Sequence, residues 1–177
     1  MKCLIIGTDS THTECFISSI GNFKGTLAVY SEDDQKCGYL ADKYGVVTFP
    51  LDLDRAIAWS DAVMVLSRFG EDHLAPAIKV IEAGRNLFID KPLTANYEEA
   101  LRIKQAAKDF GVKCMSGSPL NFARTVVDLS KRIEGRWVKK IVLTCPAQCN
   151  DLGDDLRLRN VFFYGIHALE VGLRFIK

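Results

Sequence analysis

Residues 62–103 read AVMVLSRFGEDHLAPAIKVIEAGRNLFIDKPLTANYEEALRI. Two apolar runs stand in this stretch, Ala62–Ser67 and Asn86–Asp90, and each leads into a segment with helical character. Neither run alternates apolar with polar, as expected of strands covered on both faces. The first helical segment, residues 71–84, closes at Gly84, and Pro76 is tolerable there within the first turn or so. The second is capped by Asn96 and closed by Gly111. A strand–helix–strand–helix order of this spacing implies parallel pairing through right-handed crossovers.

The same alternation continues on both sides. Upstream lie CLIIG (3–7), a helix from STHTECFISSIGN (10–22), TLAVYS (26–31), a helix from DDQKCGYLADKYG (33–45), VVTF (46–49) and a short helix from DLDRAIAW (52–59). Ser10 or Thr11 can cap the first of these helices and Gly21 can close it, while Pro50 blocks extension of VVTF. Downstream, VKCMSG (112–117) is a sixth strand. Six strands interleaved with helices predict an α/β fold, a doubly wound parallel Rossmann sheet of the nucleotide-binding kind.

From Ser118 the pattern changes. FARTVVDLSKRIEG (122–135) reads as a helix, VKKIVLTCPAQ (138–148) as one long strand, CNDLGDDLRLRN (149–160) as a polar loop and VFFYGIHALEVGLRFI (161–176) as a helix. The expected division is a dinucleotide-binding domain over 1–118 and an incomplete α+β substrate domain over 119–177. Its one strand has no evident intrachain partner, and a lone strand leaves backbone groups unsatisfied. Pairing with another chain, and hence a homo-oligomer, is therefore expected, unless the chain is a fragment of a longer one.

Composition narrows the class. The chain has 177 residues, 48% hydrophobic and 25% charged, with a formal net charge of +1. No basic stripe suggests nucleic acid, no apolar run is long enough for a membrane span, and no leader pattern precedes the first strand. The six cysteines, Cys3, Cys15, Cys37, Cys114, Cys145 and Cys149, show no zinc-ligand spacing and no other metal site is expected. They fit a reduced, cytoplasmic protein.

In a doubly wound sheet, ligands bind beyond the carboxyl ends of the strands. Four stretches end there. Gly7–His12 (GTDSTH) occupies the first strand-to-helix turn, where backbone N–H groups meet a pyrophosphate. Only the first glycine of the usual fingerprint is present; Asp9 and His12 stand at the second and third positions, while Ser10 and Thr11 can donate hydrogen bonds. An ordinary helix cap is the competing reading. Ser31 occupies the slot of the ribose-binding acid, and Glu32 follows it. Ser31 leaves room for a 2′-phosphate whereas Glu32 suits a diol, so NAD and NADP both stay open, with Glu32 favouring NAD. Ser67, Arg68 and His73 end the fourth strand, His73 being either a cofactor contact or a solvent-facing residue at a helix start. Asp90 and Lys91 end the fifth. Pro92 biases Lys91 toward extended backbone, and Asp90 adds a charge that favours the ammonium. A lysine so placed can steady a developing alkoxide as hydride leaves.

The stretch 62–103 resembles the Gfo/Idh/MocA family of oxidoreductases, the group of glucose–fructose oxidoreductase and inositol dehydrogenase. It carries a strand, an Asn-x-x-His-like turn, a helix ending in Ala-Gly, and a strand ending like Glu-Lys-Pro, with Asp90 in place of the usual Glu. The resemblance implies NAD(P)-dependent hydride transfer to or from a small sugar, polyol or related compound, with Lys91 catalytic. FFYGIHALEVG (162–172) is similar to the start of the family's substrate-domain helix, and His167 falls on its histidine. The family's Asp would fall on Phe163, so His167 or Tyr164 is left to handle the proton, with Glu170 one helical turn away. The alternative is a non-catalytic dinucleotide-binding module or partner subunit derived from such an enzyme.

Overall fold

The strand Lys2–Ile6 (β1) pairs in parallel with Thr26–Tyr30 (β2) on one side and with Ala62–Val65 (β4) on the other. Val47–Thr48 (β3) extends the sheet beyond β2, and Asn86–Ile89 (β5) and Cys114–Ser116 (β6) extend it beyond β4. The order is β3-β2-β1-β4-β5-β6, so the direction of winding reverses between β1 and β4. The computed structural model describes residues 1–20, 23–49, 51–146 and 161–176. Its contacts divide the chain into two units, Met1–Met115 and Ser116–Lys177.

Side-chain alternation along each strand explains why both faces of the sheet are covered. Leu4, Ile6, Ala28, Val63, Val65, Leu87 and Ile89 point to one face. There they meet Ala56 and Ile57 of α3 (Leu53–Trp59), Ala77, Val80 and Ile81 of α4 (Leu74–Glu82), and Ile103 and Ala107 of α5 (Tyr97–Asp109). Ile5, Val29 and Leu66 point to the other face, onto Ile17 of α1 (Thr11–Ser19) and Cys37 and Leu40 of α2 (Asp34–Tyr44). Each fully buried Leu, Ile or Val contributes about 1.5–3 kcal/mol. The apolar runs read from sequence as buried strands are this double-sided core.

The helix ends follow their capping residues. Ser10 caps α1 by accepting from the His12 N–H, Asp33 caps α2, Asp52 caps α3, and Asn96 caps α5 through the N–H groups of Glu98 and Glu99. Glu14 of α1 joins that helix to α2: its carboxylate accepts from Lys36 at 2.8 Å, Lys43 at 2.9 Å and the Tyr44 hydroxyl at 3.1 Å. Hydrogen bonds from Lys36 and then Lys43 hold the Glu14 carboxyl down at about 2.

The second unit differs from expectation. It contains α6 (Arg124–Arg132), entered through a 3₁₀ turn at Pro119–Phe122, and α7 (Val161–Leu173). The long strand expected over residues 138–148 is not formed in its described part, 138–146. Among the described residues this unit has no other strand with which to exchange N–H···O bonds, and Lys139 and Lys140 break the alternation. The expected helix closure at Gly21, the block at Pro50 and the loop 149–160 lie outside the described residues. No helix among the described residues is long and apolar enough to cross a membrane.

Burial pushes the thiol of Cys3 up to about 11 and raises those of Cys37 and Cys114. Peptide-mapped alkylation at neutral pH should therefore label exposed Cys15 in the native protein, and Cys3 and Cys37 only after unfolding. Equal labelling of all three would contradict this packing. Because the folded-state value of Glu14 lies below its unfolded value of 4.5, its stabilisation is present above that pH and is lost as pH falls through about 2. Glu14→Gln should lower Tm slightly at pH 7 and by progressively less as pH falls from 4.5 through about 2.

Candidate functional site

The sheet ladder runs one residue past its strands at the carboxyl edge. Gly7 N–H donates to Tyr30 O, Leu66 N–H to Ile6 O, and Asp90 N–H to Val65 O. The ends of β2, β1, β4 and β5 therefore stop at one level, and the loops that follow them meet. Gly7 has φ +95°, a left-handed value that a side chain resists, and a Cβ there would lie 2.5 Å from Ser67 N. Glycine at this position lets the β1 turn close onto the β4 turn.

Side chains then link all four loops. The Thr8 hydroxyl, buried, donates to Ser31 Oγ at 2.6 Å. Ser31 Oγ also accepts from the Asp33 N–H at 3.1 Å, which leaves its own hydrogen for a ligand. Asp9, which as an unscreened anion would repel a pyrophosphate, accepts from the Arg68 N–H at 3.0 Å. Thr13 donates to Gly7 O at 2.9 Å and steadies the turn from inside. Thr11 is exposed at the first position of α1. His12, the second position, reaches across to Asp90, with Nδ1 2.5 Å from Oδ2. Glu32 is exposed beside Ser31.

The structure places His73 in the interior. It is completely buried, not solvent-facing, and its two ring nitrogens lie 2.9 Å from Pro92 O and 2.9 Å from Ser67 O. It ties the loop after β4 to the loop after β5. Gly70 works beside it: a Cβ there would meet Pro92 Cγ at 2.7 Å and Ala95 N at 2.9 Å. These two residues fix the segment that carries Lys91, which is 4% exposed and precedes Pro92 through a cis peptide bond. Asp90 is buried too, and its Oδ2 meets His12; its Oδ1 has no hydrogen-bond partner among the described residues. No cluster of three or more His, Cys, Asp or Glu with metal-binding geometry occurs among the described residues.

The second unit holds its own polar cluster. His167 lies midway along α7, with Nδ1 2.6 Å from the Oγ of fully buried Ser118. Glu170 Oε2 accepts from the Ser118 N–H and from Asn121 Nδ2 at 3.1 Å. Phe163 and Tyr164 pack edge to face, with ring centroids 4.8 Å apart. Sequence reading missed Thr8, Gly70 and Ser118. The only signals available for them were a threonine inside GTDSTH, a glycine in the turn after β4 and a serine at the point where the strand pattern ends.

The geometry matches known proteins. Residues 1–118 match the model of the Gfo/Idh/MocA oxidoreductase family, described as an NAD-binding Rossmann fold. The chain is 27% identical over 115 residues to inositol 2-dehydrogenase/D-chiro-inositol 3-dehydrogenase of Halalkalibacterium halodurans, covering 62% of this chain and 33% of that protein. It is 31% identical over 80 residues to scyllo-inositol 2-dehydrogenase (NAD(+)) of Bacillus subtilis, covering 45% and 23%. The crystal structure of apo scyllo-inositol dehydrogenase from Lactobacillus casei superposes with a TM-score of 0.69 at 19% identity, over 76% of this chain and 41% of that one. Each match spans less than half of the relative's length.

His73→Leu should remove the ring N–H that donates to one of the two carbonyls, Ser67 O or Pro92 O, at a cost of about 1–3 kcal/mol. Urea denaturation checks this, and a loss within about 0.5 kcal/mol, as for a surface substitution, would contradict the tie.

Proposed function

Because this chain belongs to the Gfo/Idh/MocA oxidoreductase family, we propose that its first unit binds a nicotinamide dinucleotide and that the protein transfers hydride to or from a hydroxyl-bearing carbon of a small polyol or sugar. Support comes from the carboxyl edge. Four strand ends are linked into one surface there, and it carries the features a dinucleotide needs. Gly7 allows close backbone approach, the N–H groups at the start of α1 form an anion site, and Ser31 offers a hydroxyl hydrogen to a ribose. The buried Asp90 Oδ1, without a protein donor among the described residues, fits a polar ligand that supplies one. The residues proposed to hold the cofactor are Gly7, Asp9 through its backbone, Ser10, Thr11, His12, Ser31, Glu32, Ser67, Arg68, Asp90 and Lys91. His73 serves by positioning two of their loops. NAD is favoured over NADP by exposed Glu32, which suits a diol and repels a 2′-phosphate.

The single observation that carries the proposal is the placement of Lys91. It is buried at the end of β5, on a segment held by His73 and Gly70, one residue from the Asp90–His12 link to the first turn. When bound, the dinucleotide supplies the hydride acceptor or donor. Lys91 donates a hydrogen bond to the reacting oxygen and stabilises the negative charge that develops as its C–H bond breaks. His167, oriented by Ser118 through Nδ1, takes the hydroxyl proton, in a role that Phe163 leaves without the family's carboxylate. Inositol-like polyols are the first substrates to test, because two of the relatives are named as inositol dehydrogenases. Self-association through residues 138–147 is part of the same proposal, since the described part of that segment, 138–146, has no strand partner among the described residues.

A thermal shift with NAD⁺, NADH, NADP⁺ and NADPH tests binding. At 100 times its Kd, a ligand that binds only the folded state should add about 2.7 kcal/mol. No shift with any of the four would overturn the reading. Given a substrate, Lys91→Ala should lower kcat by roughly 10²–10³-fold with little change in cofactor Kd. Unchanged single-turnover hydride transfer in that variant would remove Lys91 from the chemistry, whereas cofactor binding by the unaltered protein without hydride transfer to any polyol or sugar tested would leave the non-catalytic module.

A further inference from the structure

His12 stands where the glycine fingerprint has a residue without a side chain, and the structure gives that side chain a definite place. Its Nδ1 meets Asp90 Oδ2, so the imidazole reaches from the β1 turn past the end of β4 to the loop after β5. The link lies on the winding-reversal side of the sheet, where the ligand crevice of a doubly wound fold opens. The His12 side chain keeps 31% of its exposure, whereas that of Asp90 keeps 3%. With Nδ1 committed to the carboxylate, Nε2 is the nitrogen left to meet a ligand.

Asp90 sets a buried carboxylate, with one oxygen lacking a donor among the described residues, against one side of this ring. The ring also stands in the first turn of α1, whose N-terminal end draws anions. Other charged groups on the loops of this edge are Asp9, which accepts from the Arg68 N–H, Arg68 itself, Glu71 and Asp72 on the β4 loop, exposed Glu32 after β2 and Lys91 beside Asp90; Glu14 of the same helix is turned to Lys36 and Lys43 of α2. A diphosphate bound at this turn would place a second anion on the far side of the ring, at Nε2, so that the ring would stand between two anions.

We propose that His12 is the group that holds the cofactor's diphosphate, and that it does so as an imidazolium clamped between Asp90 and the phosphate oxygens, so that dinucleotide binding takes up a proton. The proposal rests on the reading that this edge binds a dinucleotide. The imidazolium supplies by charge what the missing glycines supply by close backbone approach. The chemical class of ligand is a dinucleotide with an internal diphosphate. Asp90 is a positioning residue that sets the ring's orientation and charge.

Isothermal titration of the full chain with NADH and with NADPH, at several pH values from 6 to 8, tests the proposal in buffers of low and high ionisation enthalpy. The expected result is saturable binding whose enthalpy depends on the buffer, with uptake of up to one proton. Kd should weaken as pH rises through the range in which imidazole titrates, approaching about tenfold per pH unit. His12→Gln, which can still donate to Asp90 but cannot titrate, should bind with a Kd that no longer varies with pH. Saturable binding by the unaltered protein with buffer-independent enthalpy and a constant Kd would overturn the role of His12 and leave the dinucleotide reading intact. Failure of both cofactors to bind would overturn both. The buffer comparison needs no variant, so it decides the role of His12 even where His12→Gln folds poorly.

Discussion

Everything at the carboxyl edge depends on β1 lying between β2 and β4 in parallel register. Leu4 is opposite Ala28 on one side and Val63 on the other, and Val63 is opposite Leu87 of β5. Because these strands run in one direction and are in step, their ends stop at one level. A shift of two residues in any pair would keep the apolar faces covered but would separate Gly7 from Ser67 or His12 from Asp90. The core sets the register through the side chains it buries, and the register sets the positions of the site residues. Stability and function are thus joined through the strands rather than through the loops.

The loops are then locked by a few polar contacts whose value comes from burial. Thr8 with Ser31, and His73 with the Ser67 and Pro92 carbonyls, are short contacts that join separate loops. Burial makes each costly to leave unpaired, so each restricts the loop that carries it. Lys91 inherits its position from this lock. A lysine in a surface turn would sample many rotamers, whereas one buried on a segment pinned by His73 and Gly70 loses that freedom on folding and not on binding, which is the preorganisation that catalysis requires.

Much of the fold was legible from the chain, because the strands are continuous apolar runs with helix caps and glycines between them. The helix caps at Ser10, Asp33, Asp52 and Asn96 are local signals and act locally. The expected strand is not formed over its described part, 138–146, and the non-local reason is that strand formation requires a neighbour, which propensity does not supply. The candidate site residues were chosen by the rule that ligands meet strand ends, and the structure gives several of them partners that the sequence did not show. His12 and Asp90 are 78 positions apart and Thr8 and Ser31 are 23 apart, so no sequence window contains either pair. His73 shows the limit most clearly. As a histidine in an acidic turn before a helix it reads as exposed or as a ligand, and only the return of the chain at Pro92 buries it.

Hydrogen exchange of the full chain, with and without saturating NADH, tests the central claim that one surface is formed by the ends of β1, β2, β4 and β5. The account predicts added protection confined within the first unit to the turn after β1, the segment after β2 and the loops holding Ser67–Arg68 and Asp90–Thr94. Protection that spares the turn after β1, or that is confined to the amino-terminal ends of the strands, would contradict it.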